Sequence, residues 1–265
     1  MIGRTSGLAM AALIAAAALL AACNGEPQTG GGGQAQNIPP GTTIGPIYLP
    51  PDAQDISGVW WIRSYSPTIQ LLGGGELPFT QEGRARYEAN MTALRDNPLA
   101  DESRRLCLPD GVPRILGNPY PFQIIQTPGQ VNIAYELNRV MRRILLDILL
   151  PPEELLENVP YYSGYSVGHW EGDTLVIESA GYKDKTFIDA TGVPHSSQMR
   201  TIERVRKRDD GTLEIAVTVT DPVIFSAPWS ANYVYDLHPE IRIQDYVCGD
   251  EHRDISHIPG VNVPN

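Results

Sequence analysis

The sequence predicts an all-β domain, an antiparallel barrel of about eight to ten strands with one helical insertion. From Pro121 onward, short β-prone runs recur about every ten residues and are separated by turn signals such as Pro128-Gly129 and Asp209-Asp210-Gly211. Only one segment has the apolar periodicity of a helix. This spacing is typical of barrels and sandwiches, whereas α/β folds alternate strands with helices.

The first 22 residues predict a secretory signal peptide. Arg4 supplies a positive charge, Leu8–Leu20 forms an almost unbroken apolar run, and Leu20-Ala21-Ala22 leads into Cys23. This pattern resembles the lipobox of bacterial lipoproteins, in which the cysteine carries the lipid. Asn24 resembles the default signal for the outer membrane. The resemblance implies a protein anchored by lipid in the cell envelope, at the outer membrane and facing the periplasm.

Residues 23–50 predict a flexible tether, because they are rich in Gly, Pro, Gln and Thr and nearly free of large apolar side chains. Residues 51–265 contain no second break of that composition, and their number is within the range of one large β domain. The sequence therefore predicts a single folded domain that the tether holds away from the membrane.

The chain is acidic, with 20 Lys plus Arg against 31 Asp plus Glu. Loss of Arg4 with the signal peptide leaves 19 against 31, a net charge of −12. Such a surface repels phosphate backbones, which argues against nucleic acid as a partner. If Cys23 carries lipid, Cys107 and Cys248 are the remaining cysteines in an oxidising compartment, and they predict one disulfide. Nothing in the sequence indicates an oligomeric state.

The domain opens with a predicted strand at Asp55–Trp61, followed by the helical insertion at Thr80–Leu94. Gly58-Val59-Trp60 resembles the Gly-x-Trp signature of lipocalins and other calycins, in which the tryptophan closes one end of the barrel. The resemblance favours a lipocalin-like barrel over a sandwich. Thr80 is a good N-cap for the helix, and an apolar stripe predicts packing against the barrel: Tyr87, Met91 and Leu94.

The remaining strands are predicted from alternation and turn signals. They cover Phe122–Gln126, Val131–Tyr135, Val140–Leu146, Tyr165–Trp170, Thr174–Ser179, Met199–Arg208, Thr212–Asp221, Ser230–Leu237 and Ile241–Val247. Glu171-Gly172-Asp173 predicts a tight hairpin, because glycine allows the positive φ that such a turn needs. Leu149–Val159 predicts a proline-started turn of helix and a loop, a candidate lid.

Charged residues in two predicted strands bear on the barrel interior. Arg142 and Arg143 point to opposite sides, and whichever points inward needs a carboxylate or a ligand. We expect Arg143 outside and Arg142 near an open mouth. In the hairpin around Asp209-Asp210-Gly211, a three-residue loop with a bulge keeps the Val205 side chain in the core and turns Glu203 inward. A two-residue turn would place Arg204 there instead.

Gly164-x-Ser166-x-Gly168 resembles the nucleophile elbow of α/β-hydrolases, but an elbow needs a strand, a sharp turn and a helix. Here the motif begins a strand that runs into a hairpin, so it predicts architecture rather than catalysis. The sequence contains no zinc-binding HExxH pattern, phosphate loop or dinucleotide fingerprint, and too few cysteines for a cysteine metal site. We therefore expect no cofactor and no metal.

The long loop Gly181–Ser197 carries the candidate acid-base residues Asp184, Asp189 and His195, with Glu203 just beyond it. A carboxylate that fixes the tautomer of an imidazole serves general acid-base chemistry. The same residues can bind a divalent ion, or act as ordinary turn and capping residues. His169 shares a strand face with Tyr165, and periodicity leaves open whether that face lines a cavity or points outward.

Several short motifs resemble those of a family of exported proteins common in environmental bacteria. They are Pro121-Phe122-Gln123-Ile124, Gln126-Thr127-Pro128, Gly168–Val176 with its Trp-Glu-Gly-Asp-Thr-Leu-Val run, Pro194-His195-Ser196, Glu203-Arg204 and Asp221-Pro222. The similarity extends from about Leu77 to Cys248, and the chain departs from the pattern at Ile148–Val159. That family carries no established activity, so the resemblance implies homology and export without naming a reaction.

We expect a binding protein whose barrel holds a small, largely apolar molecule. The residues expected to contact the ligand are Trp60, Arg142, Tyr165 and His169. The alternative is a cofactor-independent enzyme in the same barrel, an isomerase, lyase or hydrolase that uses His195 or His169 with the carboxylates named above. A third class is an envelope scaffold without a ligand. The sequence leaves open whether the protein is an enzyme.

Overall fold

The chain from residue 53 to residue 248 contains nine strands that close into a barrel in sequence order. These are the residues that a computed structural model describes, and the predicted signal peptide, Cys23 and the tether lie outside them. The strands are β1 (Gly58–Ile62), β2 (Phe122–Thr127), β3 (Gln130–Tyr135), β4 (Met141–Leu146), β5 (Tyr165–Glu171), β6 (Thr174–Ala180), β7 (Arg200–Lys207), β8 (Leu213–Thr220) and β9 (Trp229–Leu237).

One pair of neighbouring strands is parallel. β1 pairs with β9 and closes the barrel, and all neighbours are antiparallel except β4 and β5. An odd number of strands in a closed ring cannot alternate in direction all the way round, so at least one pair must be parallel. The predicted all-β barrel of eight to ten strands is confirmed. The expectation of antiparallel pairing throughout is wrong at this pair.

Residues 147–164 form the crossover between the two parallel strands, and they contain helix α4 (Glu153–Asn158). A short hairpin cannot join parallel strands, because the chain must return to the end where the first strand began. The segment Ile148–Val159 lies within this crossover. The crossover is long because β5 runs parallel to β4.

Three helices lie between β1 and β2 where one was expected: α1 (Gln81–Asp96), α2 (Glu102–Arg105) and α3 (Arg114–Gly117). The predicted N-cap of α1 is confirmed, since the Thr80 hydroxyl oxygen accepts the backbone N–H of Gly83 at 2.9 Å. Tyr87 stacks on Phe79 with ring centroids 5.2 Å apart. Met91 is 40% exposed, so the predicted packing stripe is right at Tyr87 and wrong at Met91.

The pairing of β7 with β8 decides which side chains enter the barrel. Glu203 lies opposite Val217 and Val205 opposite Ile215, and all four side chains are buried. The predicted inward Glu203 is therefore confirmed. On β4 the alternation buries Arg142 and exposes Arg143, as expected.

The predicted strand at Ile241–Val247 is absent, since no strand is assigned to these residues. β1 and β9 pair with each other, so neither has a free edge for a further strand. The segment instead crosses the β3–β4 connection, where the Gln244 backbone N–H donates to Glu136 Oε2 at 2.8 Å. It ends at Cys248, which forms the predicted disulfide with Cys107 at a Cα–Cα distance of 5.5 Å. Among residues 53–248, no helix has the length and apolar composition of a membrane span.

Candidate functional site

Large side chains fill the interior of the barrel. The fully buried residues include members of many strands: Trp60, Phe122, Ile133, Ile144, Leu175, Ile177 and Tyr235. Trp60 is one of them, and its indole N–H donates to the Ile56 carbonyl oxygen at 3.0 Å. The structure therefore places the first predicted ligand residue in a packed core.

Arg142 and Glu203 form a bidentate ion pair inside this core. Arg142 Nη2 lies 2.6 Å from Glu203 Oε1, and Nη1 lies 2.8 Å from Oε2. Burial by itself lowers the pKa of Arg142, but the charge and hydrogen bonds of Glu203 outweigh it and raise the pKa above its ordinary value. The guanidinium is therefore charged and already paired, inside the barrel rather than at an open mouth.

Hydroxyl groups complete the surroundings of this ion pair. Arg142 Nε donates to Ser166 Oγ at 3.2 Å and Nη2 donates to Ser179 Oγ at 3.0 Å, while the two serine oxygens lie 2.9 Å apart. Ser166, the serine of the elbow-like motif, lies within strand β5 and accepts this hydrogen bond from Arg142 of β4, so the strand, turn and helix of a nucleophile elbow are not formed around it. Burial raises the pKa of the nearby Tyr135 to about 12, so this phenol is neutral.

His195 is buried in the loop between β6 and β7, and its ring nitrogens bond to uncharged groups. Its Nδ1 donates to the Ser196 carbonyl oxygen at 3.1 Å, which leaves Nε2 to accept from the Thr186 hydroxyl at 3.0 Å. Burial lowers the pKa of His195, so the imidazole is neutral at pH 7. Both ring nitrogens therefore form hydrogen bonds within the loop.

Of the three carboxylates proposed to act with His195, Asp184 lines a cavity of about 460 Å³ together with it, but among residues 53–248 none of the three hydrogen-bonds to the imidazole. Asp184 is exposed, and Glu203 belongs to the ion pair in the core. Asp189 accepts the backbone N–H groups of Ile69, Thr191 and Val193, an arrangement that joins two loops. Within residues 53–248, no three side chains of His, Cys, Asp or Glu are grouped so that they could hold a metal ion.

Asp221 holds the loop that carries His195 in place, a role that the sequence did not reveal. Its carboxylate accepts the Ser196 backbone N–H at 2.6 Å and the Ser196 hydroxyl at 2.8 Å, and further backbone N–H groups of Val223 and Ile224. An aspartate directly before Pro222, at the end of a strand, is a turn signal that points to such capping. The loop between β6 and β7 is therefore fastened to the turn after β8.

His169 and Tyr165 lie on the outer face of β5. His169 is half exposed and its Nε2 lies 3.2 Å from Glu171 Oε1, while Arg204 contacts the other oxygen of Glu171 at 2.9 Å. Tyr165 packs edge-on against Tyr161 with ring centroids 6.1 Å apart. The sequence did not decide the direction of the strand face that carries His169 and Tyr165. In the structure this face points outward.

A cavity of about 410 Å³ lies on this outer side, where β4 and β5 diverge. The strands pair at three positions: Ile144 with Ser166, Leu145 with Val167, and Leu146 with Gly168. Earlier in each strand, residues 141–143 of β4 and Tyr165 of β5 are not paired across the two strands. An opening lies between these unpaired ends. We call it the seam cleft. It is lined by Pro109, residues 140–143, Leu145 and residues 161–166.

The seam cleft combines aromatic, apolar and positively charged side chains. Met141 is 57% exposed and Tyr161 is 45% exposed, although both are large and apolar for most of their surface. Within the part of the chain that the structure describes, its lining contains two arginines and no Asp or Glu. Arg142 and Tyr165 are the two predicted ligand residues that the structure brings together here. The sequence missed Met141 and Tyr161, although two consecutive tyrosines in a predicted loop were a signal of an exposed aromatic site.

A second cavity of about 450 Å³ opens where β1 and β9 separate, but its charged groups are already paired. Arg114 Nη2 lies 2.7 Å from Asp101 Oδ2, and Asp189 is saturated by backbone N–H groups. Of these two cavities, the seam cleft is therefore the better candidate for a ligand site. No protein-family model matches the chain, and no curated protein matches it either.

Proposed function

We propose that the protein is an envelope lipoprotein that binds a small, largely apolar molecule in the seam cleft. The observation that carries this proposal is the exposure of Tyr161 and Met141 in one concave site. Large apolar side chains that share a cavity of several hundred Å³ are typical of ligand sites. The envelope location follows from the lipobox-like sequence that ends at Cys23.

The cleft suits such a ligand for two physical reasons. Burial of apolar surface contributes about 25 cal/mol per Å², so covering Tyr161 and Met141 favours binding. The walls are also partly preorganised, because Met141 and Tyr165 belong to strands whose other edges are paired with β3 and β6. Little backbone freedom is then lost at those two positions when a ligand binds.

Replacement of Tyr161 by alanine tests the location of the site. Mass spectrometry of the full chain, purified in detergent, would identify small molecules retained from the cell. We expect wild type to retain a largely apolar compound and Tyr161→Ala to lose most of it, because the substitution removes an exposed wall of the cleft. The matched control is Tyr65→Ala, which removes a tyrosine of similar exposure, 47% against 45%, from the other cavity.

The two variants distinguish the possible outcomes. Loss of the compound from Tyr65→Ala alone would move the site to the cavity between β1 and β9. Equal retention by all three proteins would overturn the proposal. Incubation of the retained compound with fresh protein separates binding from turnover. We expect an unchanged mass and an unchanged chromatographic retention time, the second because an isomerase would leave the mass unchanged.

A further inference from the structure

Among residues 53–248, Arg143 is the charged side chain of the seam cleft that has no partner. It lies on the outer face of β4, is exposed and lines the cavity. Within residues 53–248 its side chain makes no hydrogen bond or ion pair. An arginine that pairs with none of the described residues, on a strongly acidic protein, is available to an anion from solution.

Arg142 does not compete for that anion. Its two terminal nitrogens hold Glu203, and its Nε holds Ser166. The ion pair is neutral as a unit, so the lining carries the single positive charge of Arg143. An apolar cleft with one free guanidinium fits an amphiphile with one anionic group.

We infer that the ligand of the seam cleft is a monocarboxylic acid with an apolar or aromatic body, and that Arg143 binds its carboxylate. This inference rests on the proposed function. A guanidinium pairs with a carboxylate through two parallel hydrogen bonds, and Tyr161 and Met141 cover the body. A phosphate ester is disfavoured, because it carries a charge of about −1.5 to −2 and the chain carries a net charge of −11.

Three probes with the same ring system test the charge preference. They are 2-naphthylacetate, its uncharged amide, and 2-naphthyl phosphate, titrated into the full chain in detergent against an empty-micelle blank. We expect the carboxylate to bind about tenfold more tightly than the amide, the effect of one charge-assisted hydrogen-bonded pair. The phosphate should bind more weakly than the carboxylate.

Arg143→Met removes the guanidinium and keeps a long apolar side chain. We expect it to reduce the affinity for the carboxylate to that for the amide and to leave the amide unchanged. The control is Arg206→Met, which removes an arginine from the outer face of β7, where its side chain is 48% exposed. That variant should keep the preference for the carboxylate. Thermal unfolding confirms that both variants are folded.

Each of the other possible results refutes either the role of Arg143, the monocarboxylate class of the ligand or the proposed site. Equal affinity of wild type for acid and amide, or equal weakening of both by Arg143→Met, would refute the role of Arg143 and leave the cleft as a site. Tighter binding of the phosphate would refute the monocarboxylate class. If no probe shows binding that Tyr161→Ala removes, the proposed site fails together with this inference.

Discussion

Arg142 and Glu203 are single residues whose need for a partner is evident from the sequence. The sequence indicated that an inward arginine needs a carboxylate and that an inward glutamate needs an arginine or a hydroxyl. The structure satisfies both needs with one bidentate pair, supported by Ser166 and Ser179. A buried ion pair of this kind is costly to break, because the remaining charge is left without water or partner.

Glu203→Gln should therefore lower the free energy of unfolding by about 3–5 kcal/mol, as urea denaturation would measure. The matched control is Asp236→Asn in the pair Arg63–Asp236, whose side chains are 49% and 41% exposed. That change should cost less than about 1 kcal/mol. A double variant, Arg142→Met with Glu203→Leu, should recover most of the loss. Equal effects of Glu203→Gln and Asp236→Asn would show that the buried pair is not strongly coupled.

At the scale of elements, the candidate site is a consequence of strand direction. Because β5 runs parallel to β4, the chain between them needs a crossover, and the pairing of the two strands is limited to three positions. The unpaired ends of these strands form the seam cleft. Gly168 holds the paired part together, since a Cβ at this residue would lie 2.9 Å from Ile144 Cγ2 and 3.1 Å from the Val176 carbonyl oxygen.

Gly168→Ala should thus force β4 and β5 apart and destabilise the protein by about 1–3 kcal/mol, again measured by urea denaturation. Combining it with Ile144→Leu, which removes the branch at Cβ, should restore part of the loss. The control is Gly129→Ala, at a turn glycine where an added Cβ meets nothing within 4 Å, although its φ of 76° adds backbone strain. If the Ile144→Leu background gives no recovery, contact with Ile144 is not the cause.

At the scale of the whole molecule, one disulfide flanks the barrel, and a lipid anchor is proposed on its N-terminal side. The disulfide joins the segment before β2 to the segment after β9, and closing a loop of 141 residues can stabilise the fold by about 2–4 kcal/mol. The lipid anchor is a proposal from sequence, since Cys23 lies outside the described residues.

Replacement of Cys23 tests the anchor. Cys23→Ser removes the thiol that would carry the lipid, so we expect the protein to lose incorporation of labelled fatty acid. Cys107→Ser is the matched control, because it removes a different thiol and should keep the label. Continued labelling of Cys23→Ser would refute the anchor.

The sequence predicted nine of its ten strands correctly, together with the inward face of β7, the helix cap at Thr80 and the disulfide. Each follows from local spacing, from turn residues or from a count of cysteines. The site was predictable only in part. Arg142 and Tyr165 were named for a ligand inside the barrel, whereas the structure places them at a cleft in its wall.

The sequence by itself determined an all-β chain with one strongly helical segment and an inward carboxylate on β7. Only the tertiary structure decided that nine strands close with one parallel pair, that Arg142 meets Glu203, and that His195 contacts Thr186 and Ser196 instead of a carboxylate. The physical reason is that periodicity reports which face of one strand is buried, while contacts between distant strands depend on how the ring closes.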